Sequence, residues 1–298
     1  MHQNTWRVNR LQIAKSNIVA HFDQKGAHVL RYKELGTILS ERRRSWDLAE
    51  NTTVKDFIGF LIENADLKRL EFSLPNRSET IFVWGTVPTM EMLLHIKTSS
   101  YFSHYTAVCM HGLAKQIPPN IYISHERVSP SPNAEIDQAK IDEACRSPAH
   151  ATQNTMDFGD RHLVLLNGAS SQQLGVVKQT VKYGVEGSAL VRLTNIERTL
   201  IDAAVRPIYT GGIYEVAKAF ELAKELVSVN LLSAMLKKLS YTYPYHQLIG
   251  YYLERAGYGS SQLDLLRRFP MEYDFYLDRG MQDTRYLKDW RLHVPRGF

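Results

Sequence analysis

Residues 52–84 read TTVKDFIGFLIENADLKRLEFSLPNRSETIFVW, and this stretch decides the fold of the first third of the chain. Thr52 and Thr53 are candidate N-caps for a helix over residues 54–65, because a threonine hydroxyl can accept a hydrogen bond from the first helical turn. Apolar residues at helical spacing predict the buried face of this helix, which consists of Val54, Phe57, Ile58 and Leu61. Its outer side then carries Thr53, Lys55, Asp56 and Gly59.

Two short strands follow this helix, at residues 70–72 and 81–83, and a turn-rich tip over residues 73–80 joins them. Upstream, apolar residues at helical spacing predict two further helices, over residues 11–24 and 32–39. Three helices followed by a β-hairpin predict a winged helix-turn-helix, in which the third helix enters the DNA major groove and the hairpin forms the wing.

Positive charge is concentrated in the same part of the chain. The whole protein carries a formal net charge of +5, whereas its first 46 residues hold nine Lys and Arg against three Asp and Glu, a net +6. Guanidinium, ammonium and hydroxyl groups contact phosphates and base edges, so the candidate DNA-binding residues are Arg42, Arg43, Arg44, Thr53, Lys55 and Arg77. The alternative is a winged helix that makes only protein contacts; the triple arginine favours DNA.

The length and composition exclude several classes of protein. A chain of 298 residues suggests two domains at roughly 150 residues each, and 44% hydrophobic residues indicate a globular protein. Two cysteines, Cys109 and Cys145, cannot form a multi-bridge secreted framework, and they favour a reduced, cytoplasmic compartment. No apolar run approaches the ~20 residues of a membrane helix, so we expect no membrane partner.

The rest of the chain reads as one larger domain. A helix over residues 101–113 and several short strands precede a helical region over residues 195–256. This order predicts a mixed α+β domain with a helical carboxy-terminal part. The expected division of the whole chain is therefore a DNA-binding domain at residues 1–97 and a second domain at residues 98–298.

Two blocks of the second domain form distinct motifs. Residues 103–113 read SHYTAVCMHGL and continue to Ile117-Pro118 and a strand at residues 121–124. Residues 193–204 read LTNIERTLIDAA and close with Arg206-Pro207 and Gly211-Gly212. On these blocks, together with the amino-terminal winged helix, nearly the whole chain resembles the AbiEi family of antitoxins.

The resemblance implies a function that spacing alone does not give. Members of this family are the antitoxins of bacterial type IV toxin–antitoxin systems, which act in phage defence by abortive infection. The winged helix binds double-stranded DNA repeats in its own promoter as a transcriptional repressor. The carboxy-terminal domain neutralises an AbiEii-like nucleotidyltransferase toxin, usually without a stable complex. No cofactor is implied, and the motif residues are His104, His111, Glu197, Arg198 and Asp202.

A different class of function stays open beside this one. The chain is then a stand-alone winged-helix transcriptional regulator, whose second domain senses a ligand or mediates dimerisation. The neighbouring gene distinguishes the two, since only the antitoxin needs a nucleotidyltransferase toxin beside it.

The second motif also has a structural interpretation. Thr194 or Asn195 can cap a helix, and Glu197 lies close to the spacing of a capping box. Short ion pairs among Glu197, Arg198 and Asp202 would contribute a few tenths of a kcal/mol each. Alternatively, Arg198 and Asp202 face a ligand or the target of the toxin.

Catalytic and metal sites are not supported by the remaining residues. His104, His111 and Cys109 lie near one another, but a zinc site needs three or four ligands and no C-x-x-C or H-E-x-x-H motif is present. Buried, hydrogen-bonded histidines are expected instead. Gly187-Ser188 is similar to the start of a nucleotidyltransferase motif, but the paired carboxylates that hold two Mg²⁺ do not follow. We therefore expect a protein that is not an enzyme.

Aromatic and basic residues alternate near the carboxy terminus, over residues 285–296. Such a segment either stacks on nucleic-acid bases or packs its aromatic rings on the preceding helices. Packing is favoured.

Overall fold

A computed structural model describes residues 5–75, 77–127, 135–184 and 187–298, with side chains from Arg10 onward. The chain divides into two compact units, Met1–Thr98 and Ser99–Phe298. They are called the amino-terminal and the carboxy-terminal unit, and each is described by itself.

The amino-terminal unit contains three main helices, a short fourth helix and one sheet. In chain order the elements are α1 (Thr5–Asp23), β1 (His28–Leu30), α2 (Tyr32–Arg42), α3 (Val54–Asn64), β2 (Leu67–Leu74), β3 (Arg77–Trp84) and α4 (Thr89–Leu93). The sheet is antiparallel in the order β1-β3-β2. Helices α1 to α3 followed by the β2–β3 hairpin form the expected winged helix-turn-helix.

The hairpin is longer than its sequence suggests. Each strand has eight residues, and the pairing runs from Leu67 opposite Trp84 to Leu74 opposite Arg77. The expected tip over residues 73–80 was therefore wrong, because most of it is strand. Ser73, Arg77 and Ser78 are exposed on a two-stranded ribbon, where polar side chains need not indicate a loop. Residue 76 of that tip lies outside the described residues.

Aromatic rings hold the amino-terminal unit together. Phe22 of α1 stacks on Trp84 of β3 with 4.7 Å between ring centroids. Trp46, which follows α2, stacks on Phe57 of α3 at 5.9 Å. The indole N–H of Trp84 donates to Asp23 at 2.9 Å, so its polar atom is satisfied inside the core.

The carboxy-terminal unit combines a mixed six-stranded sheet with a helical half. The strands of the large sheet are β4 (Tyr101–Phe102), β5 (Asn120–Glu126), β6 (Thr155–Phe158), β7 (Arg161–Gly168), β8 (Val176–Lys182) and β9 (Ser188–Thr194), in the order β6-β7-β5-β4-β9-β8. The helices are α5 (His104–Met110), α6 (Gln138–Arg146), α7 (Ile196–Val205), α8 (Ile213–Leu222), α9 (Val229–Leu239), α10 (Tyr245–Arg255) and α11 (Ser260–Arg267). This is the mixed α+β class with a helical carboxy-terminal part.

Helix α7 lies at the centre of this unit. Every residue from Glu197 to Ala204 is buried, including four polar ones. Helices α5, α8, α9 and α10 all contact it. A helix that is covered on all sides needs a partner for each buried polar group, and this requirement shapes the candidate site described below.

The last residues form a small sheet on the helical half. Its strands are β10 (Phe275–Tyr276), β11 (Thr284–Leu287) and β12 (Leu292–Pro295), in the order β10-β12-β11. Trp290, Leu292 and Val294 are at most 1% exposed. The expected packing is thereby confirmed for Trp290, whereas Tyr286 of the same segment is 45% exposed.

Trp290 fits only because α10 has a glycine beneath it. A Cβ atom added to Gly250 would lie 2.1 Å from Cζ3 of Trp290. The indole N–H of Trp290 donates to Glu254 at 2.9 Å, which fixes the ring over this glycine.

We predict that Gly250→Ala lowers the free energy of unfolding by about 1–3 kcal/mol, because the ring cannot move away without giving up its packing. The matched control is Gly59→Ala in α3, where an added Cβ meets no atom within 4 Å. There alanine should stabilise the helix by up to about 1 kcal/mol. Thermal unfolding followed by circular dichroism measures both variants; equal effects would contradict the packing argument.

Candidate functional site

Arg42 and Arg44 are exposed cations at the end of α2. Arg42 is the last residue of the helix, and Arg44 lies in the turn that follows. Within the described residues, no carboxylate lies within 4.0 Å of either guanidinium. Burial, together with the positive charges of Arg42 and Lys25, lowers the pKa of nearby His21. The end of α2 therefore carries two exposed positive charges.

Arg43 has a different environment from its two neighbours. Its guanidinium donates to the backbone carbonyls of Ala49 at 2.5 Å, Glu50 at 3.1 Å and Thr52 at 2.9 Å. These three bonds fold the loop between α2 and α3 back onto the end of α2. Arg43 thus organises the loop that leads into the third helix.

The remaining predicted DNA-contact residues lie on α3 and on the hairpin. Thr53 caps α3: its hydroxyl accepts from the backbone N–H of Asp56 at 3.1 Å, and the Asp56 carboxylate accepts from the backbone N–H of Thr53 at 3.0 Å. Lys55 is exposed in the first turn of α3. Arg77 begins β3 and forms an ion pair with Glu79 at 3.2 Å.

The exposed side of α3 is not itself basic. Beside Lys55 it carries Asp56, Ile62 and Glu63. Two exposed arginines without an ion pair in the described residues, Arg42 and Arg44, lie at the end of α2, which contacts α3. Counting charge along the chain identified the basic region, but it could not show which cations are already paired.

In the carboxy-terminal unit, Arg198 and Asp202 form a buried ion pair one turn apart on α7. Nε of Arg198 donates to Oδ1 of Asp202 at 2.7 Å, and the two side chains are 8% and 9% exposed. The expected ion pair between Arg198 and Asp202 therefore exists, and the structure shows that it is buried. Because both charges are desolvated, each depends on the other far more than a surface pair does.

Arg198 also holds the segment that leads into β8. Its Nη1 donates to the hydroxyl of Ser171 at 3.0 Å and to the carbonyl of Leu174 at 2.7 Å. Glu126 then accepts from the backbone N–H groups of Ser171 at 2.9 Å and Gln173 at 3.0 Å. Burial alone would raise the pKa of Glu126, but these hydrogen bonds outweigh it and keep the pKa below its ordinary value.

The sequence analysis did not identify Ser171 and Leu174 as partners of Arg198, or Glu126 as the partner of Ser171. Tyr101 completes the network by donating to Glu126 at 3.2 Å. Glu126, Ser171 and Tyr101 come from separate segments of the chain, so no local spacing could have related them to α7.

Asn195 and Glu197 fix the start of α7. Asn195 is the N-cap and accepts from the backbone N–H of Arg198 at 3.0 Å. The spacing of Glu197 suggested a capping box, but Glu197 does not form one. Its carboxylate accepts a hydrogen bond from the backbone N–H of Ser228 at 2.9 Å, which connects α7 to the start of α9. Gly175 packs against this turn at φ +77°, where an added Cβ would lie 2.8 Å from Cβ of Arg198. The polar residues Glu197, Arg198 and Asp202 of the ERTLID motif thus form hydrogen bonds within the carboxy-terminal unit.

The two motif histidines are hydrogen-bonded, as expected, but only His104 is buried and His111 is half-buried. His104 contacts the Ser103 hydroxyl through Nδ1 at 2.8 Å, and its backbone has a φ of +48°. Burial lowers the pKa of His104 to about 4, so the ring is neutral at pH 7. His111 contacts the carbonyl of Thr194 through Nε2 at 2.7 Å, which joins the end of α5 to the end of β9. Burial also lowers the pKa of His111.

The described residues contain neither a metal-ligand cluster nor a membrane-spanning helix. No group of three or more His, Cys, Asp or Glu side chains in them is arranged to hold a metal ion. None of the helices in the described ranges is both long and apolar enough to span a membrane.

Comparison with known proteins supports the fold. No protein-family model matches the chain, and no curated protein matches it significantly. Among solved structures, the chain is similar to the RV2827C protein from Mycobacterium tuberculosis, with a TM-score of 0.54 and 12% sequence identity. The match covers 96% of this chain and 91% of that chain. At this identity the likeness shows the fold alone, so the resemblance to AbiEi antitoxins stays a prediction from the two motif blocks.

We predict that Arg198→Met lowers the free energy of unfolding by about 3–5 kcal/mol, because it leaves the Asp202 carboxylate buried without a partner. The double variant Arg198→Met with Asp202→Leu should regain part of this loss. Lys218→Ala is the control: its ion pair with Glu221 is 2.7 Å long but 42% exposed, so we expect a loss below about 1 kcal/mol. Chemical denaturation followed by circular dichroism measures all three. A loss in Arg198→Met no larger than in the control would show that the pair does not stabilise the fold.

Proposed function

We propose that the protein is the antitoxin of a bacterial type IV toxin–antitoxin system and represses its own operon by binding promoter DNA. The observation that carries the DNA-binding half is the pair of exposed, unpaired arginines at the end of α2 in a winged helix-turn-helix. Cations in this position lie beside the third helix, where they can reach phosphates on either side of a major groove.

The proposed contacts differ in kind. Arg42, Arg44 and Lys55 bind phosphates, and Arg77 of the wing exchanges Glu79 for a phosphate when DNA binds. Arg43 and Thr53 act indirectly, because their polar groups shape the loop and cap α3. The mixed charge of α3 favours binding in which phosphate contacts supply most of the affinity.

The antitoxin half rests on the resemblance of the two motif blocks. Their residues make hydrogen bonds inside the carboxy-terminal unit, so we propose that the motifs maintain its shape. Neutralisation of a nucleotidyltransferase toxin is then a property of the surface of this unit and not of catalysis by the chain, which we propose is not an enzyme. Both activities require a cytoplasmic location.

A stand-alone transcriptional regulator with a ligand-sensing domain is the second candidate. The observation that favours it is a cavity in the carboxy-terminal unit lined by arginine and tyrosine side chains. Such a regulator would also bind DNA through Arg42 and Arg44, but it would need no toxin partner.

For the DNA-binding half, the double variant Arg42→Gln with Arg44→Gln should weaken binding to the DNA upstream of the gene. The slope of log K against log salt concentration should fall by about 0.9 for each phosphate that the variant no longer binds. The control, Arg146→Gln with Arg268→Gln, changes the net charge equally through exposed arginines of the other unit. Fluorescence anisotropy at several salt concentrations makes the comparison. If the two double variants give the same slope, these arginines do not contact phosphate.

For the antitoxin half, the gene next to this one should encode a nucleotidyltransferase that stops growth when expressed alone. Co-expression of the full chain should restore growth. Arg42→Gln with Arg44→Gln, which changes only the amino-terminal unit, is the control and should restore growth equally. A neighbouring gene that is harmless, or a toxin that the full chain does not neutralise, would favour the stand-alone regulator.

A further inference from the structure

The carboxy-terminal unit contains a cavity of about 220 Å³ where the end of α7 meets β10. Its wall includes Arg206, Tyr243, Tyr245, Phe275, Asp278 and Arg279. Pockets that enclose drug-sized ligands are roughly 300–1,000 Å³, so this cavity can enclose only part of such a ligand and leaves the rest at its opening.

Arg206, Arg279 and Tyr245 all line this cavity. Burial raises the pKa of Tyr245, and the positive charges of Arg279 and Arg206 oppose that rise. Both arginines are exposed, and no carboxylate within the described residues lies within 4.0 Å of either. They come from different elements, since Arg206 ends α7 and Arg279 follows β10. Two unpaired cations that converge on one opening indicate an anionic ligand group.

The wall beside these cations is aromatic. The ring of Phe275 packs parallel to Tyr243 at 6.1 Å and edge-on to Tyr245 at 5.5 Å. Tyr243, Tyr245 and Phe275 thus form a packed aromatic cluster that lines the cavity beside the arginines, and planar heterocycles stack on aromatic side chains.

One acidic group lies among these cations. Asp278 is half-buried, and its Oδ1 accepts from the backbone N–H of Arg279 at 2.8 Å. No described Lys, Arg or His side chain lies within 4.0 Å of its carboxylate. Burial raises its pKa, while the contact with Arg279 acts in the opposite direction. A carboxylate repels an anion, but it accepts hydrogen bonds well from hydroxyl groups.

We propose that this cavity binds a ribonucleoside monophosphate. The phosphate lies at the opening between Arg206 and Arg279, the ribose hydroxyls donate to Asp278, and the base stacks on the tyrosine wall. The two arginines, the Asp278 carboxylate and the aromatic wall thereby match the phosphate, the ribose and the base of one ligand. The site is independent of the DNA-binding surface and would make the carboxy-terminal unit responsive to nucleotide.

Isothermal titration calorimetry of the full chain with AMP, GMP, CMP and UMP tests this proposal. At least one nucleotide should bind more tightly than adenosine or inorganic phosphate, because neither probe engages all three features. Arg206→Gln and Arg279→Gln should each weaken that binding about tenfold or more, since each removes a charge-assisted hydrogen bond. Asp278→Asn should weaken binding of the ribonucleotide more than that of the 2′-deoxy analogue.

Two controls separate this site from other surfaces. Arg268→Gln changes an exposed arginine that does not line the cavity, and it should leave the affinity unchanged. Arg42→Gln with Arg44→Gln should also leave it unchanged, although it removes the proposed DNA contacts. All the changed side chains are at least partly exposed, and circular dichroism verifies that each variant folds.

Three results would overturn the proposal. The first is no measurable binding of any of the four nucleotides at millimolar concentration. The second is binding that neither Arg206→Gln nor Arg279→Gln weakens, which would place the nucleotide elsewhere. The third is equal affinity for inorganic phosphate and nucleotide, which would exclude a role for the aromatic wall.

Discussion

Arg198 and Asp202 form a 2.7 Å ion pair on the helix around which the carboxy-terminal unit is built. Two desolvated charges in a helix interior are stable only while every remaining donor and acceptor has a partner. Ser171 and the carbonyl of Leu174 meet this need for Arg198, and Ser171 is in turn held by Glu126. One buried pair thereby determines where three separate segments of the chain must lie.

The amino-terminal unit depends on a simpler division among its arginines. Arg43 donates its guanidinium hydrogens to three loop carbonyls, whereas Arg42 and Arg44 remain exposed on either side of it. Arg43 therefore has a structural role, whereas the adjacent Arg42 and Arg44 are available to bind a partner. A basic run in the sequence is thus an upper limit on the charge that a surface can offer to DNA.

Periodicity predicted where α2 and α3 begin, because their apolar faces are nearly complete, but α1 begins at Thr5, six residues before the expected start at residue 11. Tyr32 and Val54, the expected first residues of α2 and α3, are the observed ones. The hairpin was predicted too short, since its outer residues are polar. The sequence predicts a domain boundary after Lys97, and the two compact units of the structure divide after Thr98.

The motif of α7 shows where sequence reasoning ends. Asn195 could be proposed as a cap, because capping depends on neighbours in the chain. The burial of Arg198 and Asp202 could not be predicted, because it depends on elements that cover α7 from far along the sequence. The cavity at Arg206 and Arg279 was missed for the same reason, since 73 positions separate its two cations.

We propose that the two units have separate tasks, DNA binding and toxin neutralisation. The most direct measurement is reporter expression and growth in the same cells. These cells carry the neighbouring gene, a reporter behind the shared promoter, and the full chain with Arg42→Gln and Arg44→Gln. The account predicts that reporter expression rises while growth is still rescued from the toxin. Loss of rescue by this variant at normal protein levels, or full repression by it, would contradict the division between the units.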